Sequence, residues 1–121
     1  MAISHILGFP RIGPQRETKK AVESYWKGEI NQTQLLDASY KLRKSNWEFQ
    51  KEAGLNFVTV GDFSFYDHVL DLSTMLGVVP PRFGKVKDKV DLDTLFRMAR
   101  GRAPSGEDAQ ACAASSGGLD L

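Results

Sequence analysis

Between Asn31 and Gly54 the residue pattern leaves the backbone little choice but one long helix. Asn31 is suited to cap it, Gln34 three residues on can reach back to the cap N–H, and Ile30 is placed to staple onto Leu35. No Gly or Pro interrupts Gln32 to Ala53, and Gly54 stands where a helix accepts a left-handed residue just past its end. At a rise of about 1.5 Å per residue the helix would span about 33 Å. Leu35, Leu42 and Phe49 recur every seventh residue with Leu36, Tyr40 and Trp47 beside them, which predicts a wide buried stripe. The rest of the chain has to cover that stripe.

There is chain enough for one domain and not for two. At 121 residues a single core is within reach, whereas most barrels and two-domain enzymes are longer. Sixteen basic against 15 acidic residues give no electrostatic reason to expect nucleic acid or a membrane surface. The single cysteine rules out an internal disulfide. Neither a signal-type N-terminus nor an apolar run of about 20 residues is visible, so a soluble, cytoplasmic protein is expected.

Before the long helix, Ile3 to Leu7 reads as a short apolar strand, Gly8 to Gly13 as a turn, and Pro14 as the first position of a helix ended by Gly28. Thr18, Ala21, Val22, Tyr25 and Trp26 form its apolar face. After the long helix, Leu55 to Val60 is rich in β-branched residues and predicts a second buried strand running into Gly61-Asp62. Ser64 with Asp67 resembles a capping box for a helix whose Phe65, Val69, Leu72 and Leu76 share one face, ended by Gly77 and Pro80-Pro81. Gly84 to Lys89 reads as an exposed loop. From Val90-Asp91 a last helix turns Leu92, Leu95, Phe96 and Ala99 inward and closes at Gly101. Residues 1–102 thus form the structured part, and 103–121 a tail of small residues. The fold class expected is α/β, with two parallel strands and four helices.

Two features bear on chemistry. Arg11 in the turn, with Arg16, Lys19 and Lys20 near a helix start and its unpaired N–H groups, would make a concave cationic corner suited to phosphate or carboxylate. From spacing alone the same residues also read as a solvated surface on which Arg16 and Lys20 pair with Glu17 or Glu23, since exposed basic residues are ordinary. Parallel strands would also deliver Asp62 and the Phe9–Arg11 turn to one edge, where α/β folds hold ligands, although Asp62 in a simple turn fits as well. His5, His68 and Cys112 lack the number and spacing of a zinc site. His5 is expected as a hydrogen-bonded core residue, His68 at the surface, and Cys112 without a role as nucleophile.

Four stretches are specific enough to name a family: Leu7-Gly8-Phe9-Pro10-Arg11-Ile12-Gly13-Pro14-Gln15-Arg16-Glu17, the run from Val60 to Leu70, Leu76 to Arg82, and Asp93 to Pro104. Together they resemble the beginning of cobalamin-independent methionine synthase, and the resemblance runs from Met1 to Cys112. It implies an incomplete N-terminal part of a (β/α)8 TIM-type barrel. The implied reaction is methyl transfer from 5-methyltetrahydropteroyltriglutamate to homocysteine, with zinc held in a C-terminal barrel that this chain lacks. By the same resemblance Gln15, Arg16, Glu17, Thr18 and Lys19 form a folate-contacting segment, with Arg11 and Asp62 as additional candidates. No catalytic residue, metal ligand or cofactor is assigned to this chain. It is expected to be inactive alone, and the alternatives are a non-catalytic polyanion- or folate-binding module and an inert truncated product. After Cys112 the sequence departs from the family, and uncovered barrel faces imply self-association.

Overall fold

The computed structural model describes residues 1–86 and 88–101, and these divide into two compact units, Met1–His68 and the residues from Val69 on. The expected tail from 103 onward, its boundary at 102 and Cys112 lie outside the described residues. Four α-helices follow in order: α1 Glu17–Trp26, α2 Gln32–Glu52, α3 His68–Met75 and α4 Leu92–Arg100, with a 3-10 turn at Pro81–Phe83. Among the described residues no helix is long and apolar enough to cross a membrane.

α2 forms where the sequence punctuates it. Asn31 Oδ1 accepts from the Gln34 N–H at 2.9 Å, and Gln34 Oε1 accepts in return from the Asn31 N–H at 2.8 Å. Beyond the Ala53 cap, Gly54 takes φ 81°. The buried stripe is narrower than the heptad reading predicts. Leu35, Ser39, Leu42 and Gln50 are enclosed, whereas Leu36, Tyr40 and Phe49 are exposed. Thr18 and Val22 of α1 are also buried and, with Leu35 and Leu42, form the core of the first unit, where α1 packs along α2.

The expectation of two parallel strands is overturned, because the described residues contain no strand. Residues 3–9 and 55–62 do run side by side in the same direction, but side chains make most of the connections. Asn56 Oδ1 accepts from the Ser4 N–H at 2.9 Å, Thr59 Oγ1 donates to the Ile6 carbonyl at 2.5 Å, and Asp62 Oδ2 accepts from the Phe9 N–H at 2.7 Å. Backbone pairing is confined to the Asn56 and Phe57 N–H groups, which share the Ser4 carbonyl. Side chains that satisfy the backbone compete with a ladder, and two extended segments with no third neighbour gain too little to form one. Leu7, 94% exposed, and Val60, 70% exposed, show how open this pair is. His5, expected inside, is exposed as well.

α3 begins at His68, the last residue of the first unit, and the Ser64–Asp67 capping box does not form, since the Ser64 hydroxyl is buried without a hydrogen-bond partner among the described residues. Val69, Leu72 and Leu76, expected to share one face of this helix, are exposed. α4 follows its pattern: Asp91 caps it by accepting from the Thr94 N–H at 2.7 Å, Phe96 is buried, and Gly101 ends it. The Phe83 ring of the 3-10 turn lies under the guanidinium groups of Arg82 and Arg97, at 4.9 and 6.0 Å.

Candidate functional site

The turn between Gly8 and Glu17 is tighter than a proline-initiated helix requires. Gly13 at φ 82° and Arg16 at φ 62° are both left-handed and bracket Pro14-Gln15, and the Arg16 N–H closes the turn on the Gly13 carbonyl at 3.0 Å. α1 therefore starts at Glu17 rather than Pro14, with Arg16 as a cap whose side chain bonds no helix N–H. The Glu17 carboxylate folds back to accept from the Gln15 N–H at 3.0 Å, and the Thr18 N–H donates to the Ile12 carbonyl at 3.2 Å. Only the Glu17 and Lys19 N–H groups at this helix start lack an acceptor among the described residues.

The five expected folate-contacting residues differ in what their side chains are free to do. Gln15, Arg16 and Lys19 are exposed, Glu17 is half-buried, and Thr18 is buried with its hydroxyl donating to the Arg11 carbonyl at 2.6 Å. Of the basic residues here, Lys19 pairs with Glu23 at 3.6 Å, an exposed contact of little energetic weight. Arg16 forms no ion pair among the described residues.

Arg11 adjoins this turn, its carbonyl accepting from the Thr18 hydroxyl, and its side chain reaches away along the chain. Its Nη1 donates to the Ser64 carbonyl at 3.2 Å, and its side chain lines an open cleft of about 500 Å³ walled by Leu7–Arg11, Asp62 and His68. None of residues 15–19 lines this cleft, although the Thr18 hydroxyl ties the Arg11 backbone to that segment. The convergence of Asp62 with the Phe9–Arg11 turn, expected from parallel strands, occurs without them: the Asp62–Phe9 hydrogen bond makes it. Behind the cleft, Arg43, Asn46, Trp47 and Gln50 of α2 back a void of about 10 Å³ that Arg11 and Asp62 also line, room for a single water. Arg43 lies over Trp47 and Phe63 at 5.9 and 5.6 Å. Gln50, 1% exposed, accepts from the Thr59 N–H at 3.0 Å and donates to the Asn46 carbonyl at 3.2 Å, tying α2 to the segment that carries Asp62. Sequence reasoning gave Gln50 no role, although a polar residue on an otherwise apolar helix face was the available signal.

His68 enters the cleft as the first residue of α3. Among the described residues no three His, Cys, Asp or Glu side chains gather into a metal-binding group.

Comparison with known proteins adds the wider context. Residues 3–115 match the family described as cobalamin-independent synthase, N-terminal domain. The 5-methyltetrahydropteroyltriglutamate–homocysteine methyltransferase of Photorhabdus laumondii is 59% identical over 109 residues, 90% of this chain and 14% of that protein. The enzyme of the same name from Erwinia tasmaniensis is 58% identical over 109 residues, with the same coverage. That from Coxiella burnetii is 51% identical over 112 residues, 93% of this chain and 14% of the relative. The chain thus spans about one seventh of the length of these relatives, 14% in each case. With nearly its whole length matched at this identity, the chain belongs to the cobalamin-independent methionine synthase family, within that family's N-terminal domain.

Proposed function

We propose that this chain is the folate-polyglutamate-binding part of a methionine synthase and has no methyl transfer of its own. In this reading the exposed Arg16 and Lys19, with the open N–H groups of Glu17 and Lys19, receive carboxylates of a 5-methyltetrahydropteroyltriglutamate tail. Gln15 contributes a polar contact, Glu17 orients the turn, and Thr18 acts from inside by fixing Arg11. The observation that carries the reading is the match of residues 3–115 to the N-terminal domain of enzymes whose name states that substrate and homocysteine. Zinc, expected in the C-terminal barrel, has no part in what these residues do.

Two measurements test this. Calorimetric titration of the chain with folate triglutamate should give saturable heat that Arg16→Ala and Lys19→Ala each weaken. Unchanged affinity in both variants would remove these residues from the site, and no heat at millimolar ligand would leave an inert chain. A methyl-transfer assay with added zinc should give no turnover, and robust turnover would end the claim that the chain is inactive alone. Self-association belongs to the same reading, supported by the exposed Ile3, Leu7, Phe57 and Val60, and a compact monomer in sedimentation would dismiss it.

A further inference from the structure

One face of α2 turns polar side chains inward. Arg43, Asn46, Trp47 and Gln50 follow one another at helical spacing, and together they close the void of about 10 Å³ against Arg11 and Asp62. Arg43 is the anomaly of this face. Its guanidinium lies over the Trp47 and Phe63 rings at 5.9 and 5.6 Å and forms no ion pair among the described residues. Its Nε is buried with no hydrogen-bond partner among them. An arginine does not shed its proton to escape such a place, so the Nε–H still needs an acceptor. Across the void Asp62 spends Oδ2 on the Phe9 N–H, which leaves Oδ1 without a partner among the described residues, and the Asn46 side chain has none either.

Size and charge together select the occupant. A void of about 10 Å³ is close to the least that admits a single water, and it is too small for any larger ligand. A cation would meet Arg11 and Arg43, and an anion would meet Asp62. A neutral molecule that both donates and accepts satisfies every group at once. We propose that the void holds one resident water, which accepts a hydrogen bond from Arg43 Nε and donates to Asp62 Oδ1 and to the Asn46 side-chain oxygen. Three bonds to otherwise unpaired polar groups are what a buried water ordinarily makes. The water joins a guanidinium and a carboxylate that form no direct ion pair, so Arg43 is a positioning residue for Asp62: the Phe9 N–H holds one carboxylate oxygen and the water holds the other. None of residues 15–19 except none other than their neighbour Arg11 is near it in the lining, so the site stands whether or not that segment binds folate.

The test reads magnetisation transfer between water and the Arg43 Nε–H in NMR of the isotope-labelled full chain, at mildly acidic pH where that hydrogen exchanges slowly with solvent. The resonance is assigned by its disappearance in Arg43→Lys. A water that stays for longer than the nanosecond range gives laboratory-frame and rotating-frame Overhauser peaks of opposite sign, and this is the expected result. Peaks of the same sign, or none, overturn the proposal. Asp62→Asn keeps an acceptor for the Phe9 N–H and turns the other oxygen into an amide donor, so the water contact at Arg43 should be lost while amides remote from the void keep their native shifts. A contact unchanged in Asp62→Asn overturns the bridge to Asp62. Arg43→Lys keeps the positive charge and lacks the Nε–H, and the carboxylate carbon signal of Asp62 should shift in it. An unmoved signal overturns the hold of Arg43 on Asp62.

Discussion

Gly13 is where the turn, the helix start and the core meet, and replacing it with alanine separates their contributions. The residue is buried at φ 82°, a conformation that costs an L side chain roughly 1 kcal/mol. An added Cβ would also collide with the Glu17 carboxylate and come within 3.2 Å of Leu42 Cδ1. Moving the carboxylate breaks its bond to the Gln15 N–H, worth about 1 kcal/mol once exposure to solvent is allowed for. Gly13→Ala should therefore cost about 2–3 kcal/mol in all, by addition of the strain, the lost bond and the small Leu42 shift. With Glu17→Ala already in place the collision and the bond are gone, and the same change should cost about 1–2 kcal/mol. Urea denaturation of the four proteins of the cycle, followed by Trp26 and Trp47 fluorescence, gives the coupling directly. An equal cost of Gly13→Ala in both backgrounds would refute the idea that the Glu17 carboxylate occupies the space a side chain would need.

Three further outcomes follow from single contacts. Gln50→Leu leaves the Thr59 N–H without its acceptor and should destabilise by about 2 kcal/mol in urea denaturation, with the Asp62 amide shifted because the segment carrying it loosens. Leu35→Ala, at the one fully enclosed leucine of α2, should cost about 3 kcal/mol or more, measured as a loss of cooperative thermal unfolding in circular dichroism. The Thr94 N–H holds the Asp91 carboxyl below its ordinary value of 3.8, so its share of stability is complete above that value and is lost as pH falls through the lower folded one. In an acid titration the Thr94 amide should follow this step below about pH 4, Asp91→Asn should remove the step while keeping the cap, and Asp91→Ala should cost about 1 kcal/mol at neutral pH.

What the sequence disclosed was what neighbouring residues decide among themselves. The Asn31–Gln34 box, the Gly54 stop, the Asp91 start and the Gly101 stop all work within one helical turn, and the structure has each where the residues indicate. The family was legible too, from several unbroken stretches. Where a distant group decides, the reading failed. Pro14 is an acceptable first helical residue, yet the left-handed pair Gly13 and Arg16 moved the start to Glu17. Ser64 and Asp67 have capping-box spacing, but Ser64 is enclosed and the Arg11 guanidinium takes its carbonyl from 53 positions away. The cleft was half visible. Arg11 and Asp62 were candidates, but the cleft they line with Leu7 to Pro10 and His68 depends on contacts across 53 positions that no local pattern encodes.

The missing strands carry the most informative correction, because apolar β-branched runs ordinarily justify the expectation. Residues 3–9 and 55–62 lie side by side, in one direction and at a nearly constant offset, from Ser4 beside Asn56 to Phe9 beside Asp62. A regular ladder would spend their backbone groups on each other. Instead Asn56, Thr59 and Asp62 reach across with side chains, and Gln50 reaches from α2 to take the Thr59 N–H. The arrangement fixes spacing and direction at a few points while leaving much of the backbone and most of the apolar side chains open. Because the last of these side-chain ties is Asp62 itself, the same hydrogen bond that aligns the segments also fixes Asp62 where it lines the cleft with Arg11. Side-chain pairing between two extended segments thus stands in for a sheet, which is why a substitution at Asp62 must keep an acceptor for Phe9 if their alignment is to survive.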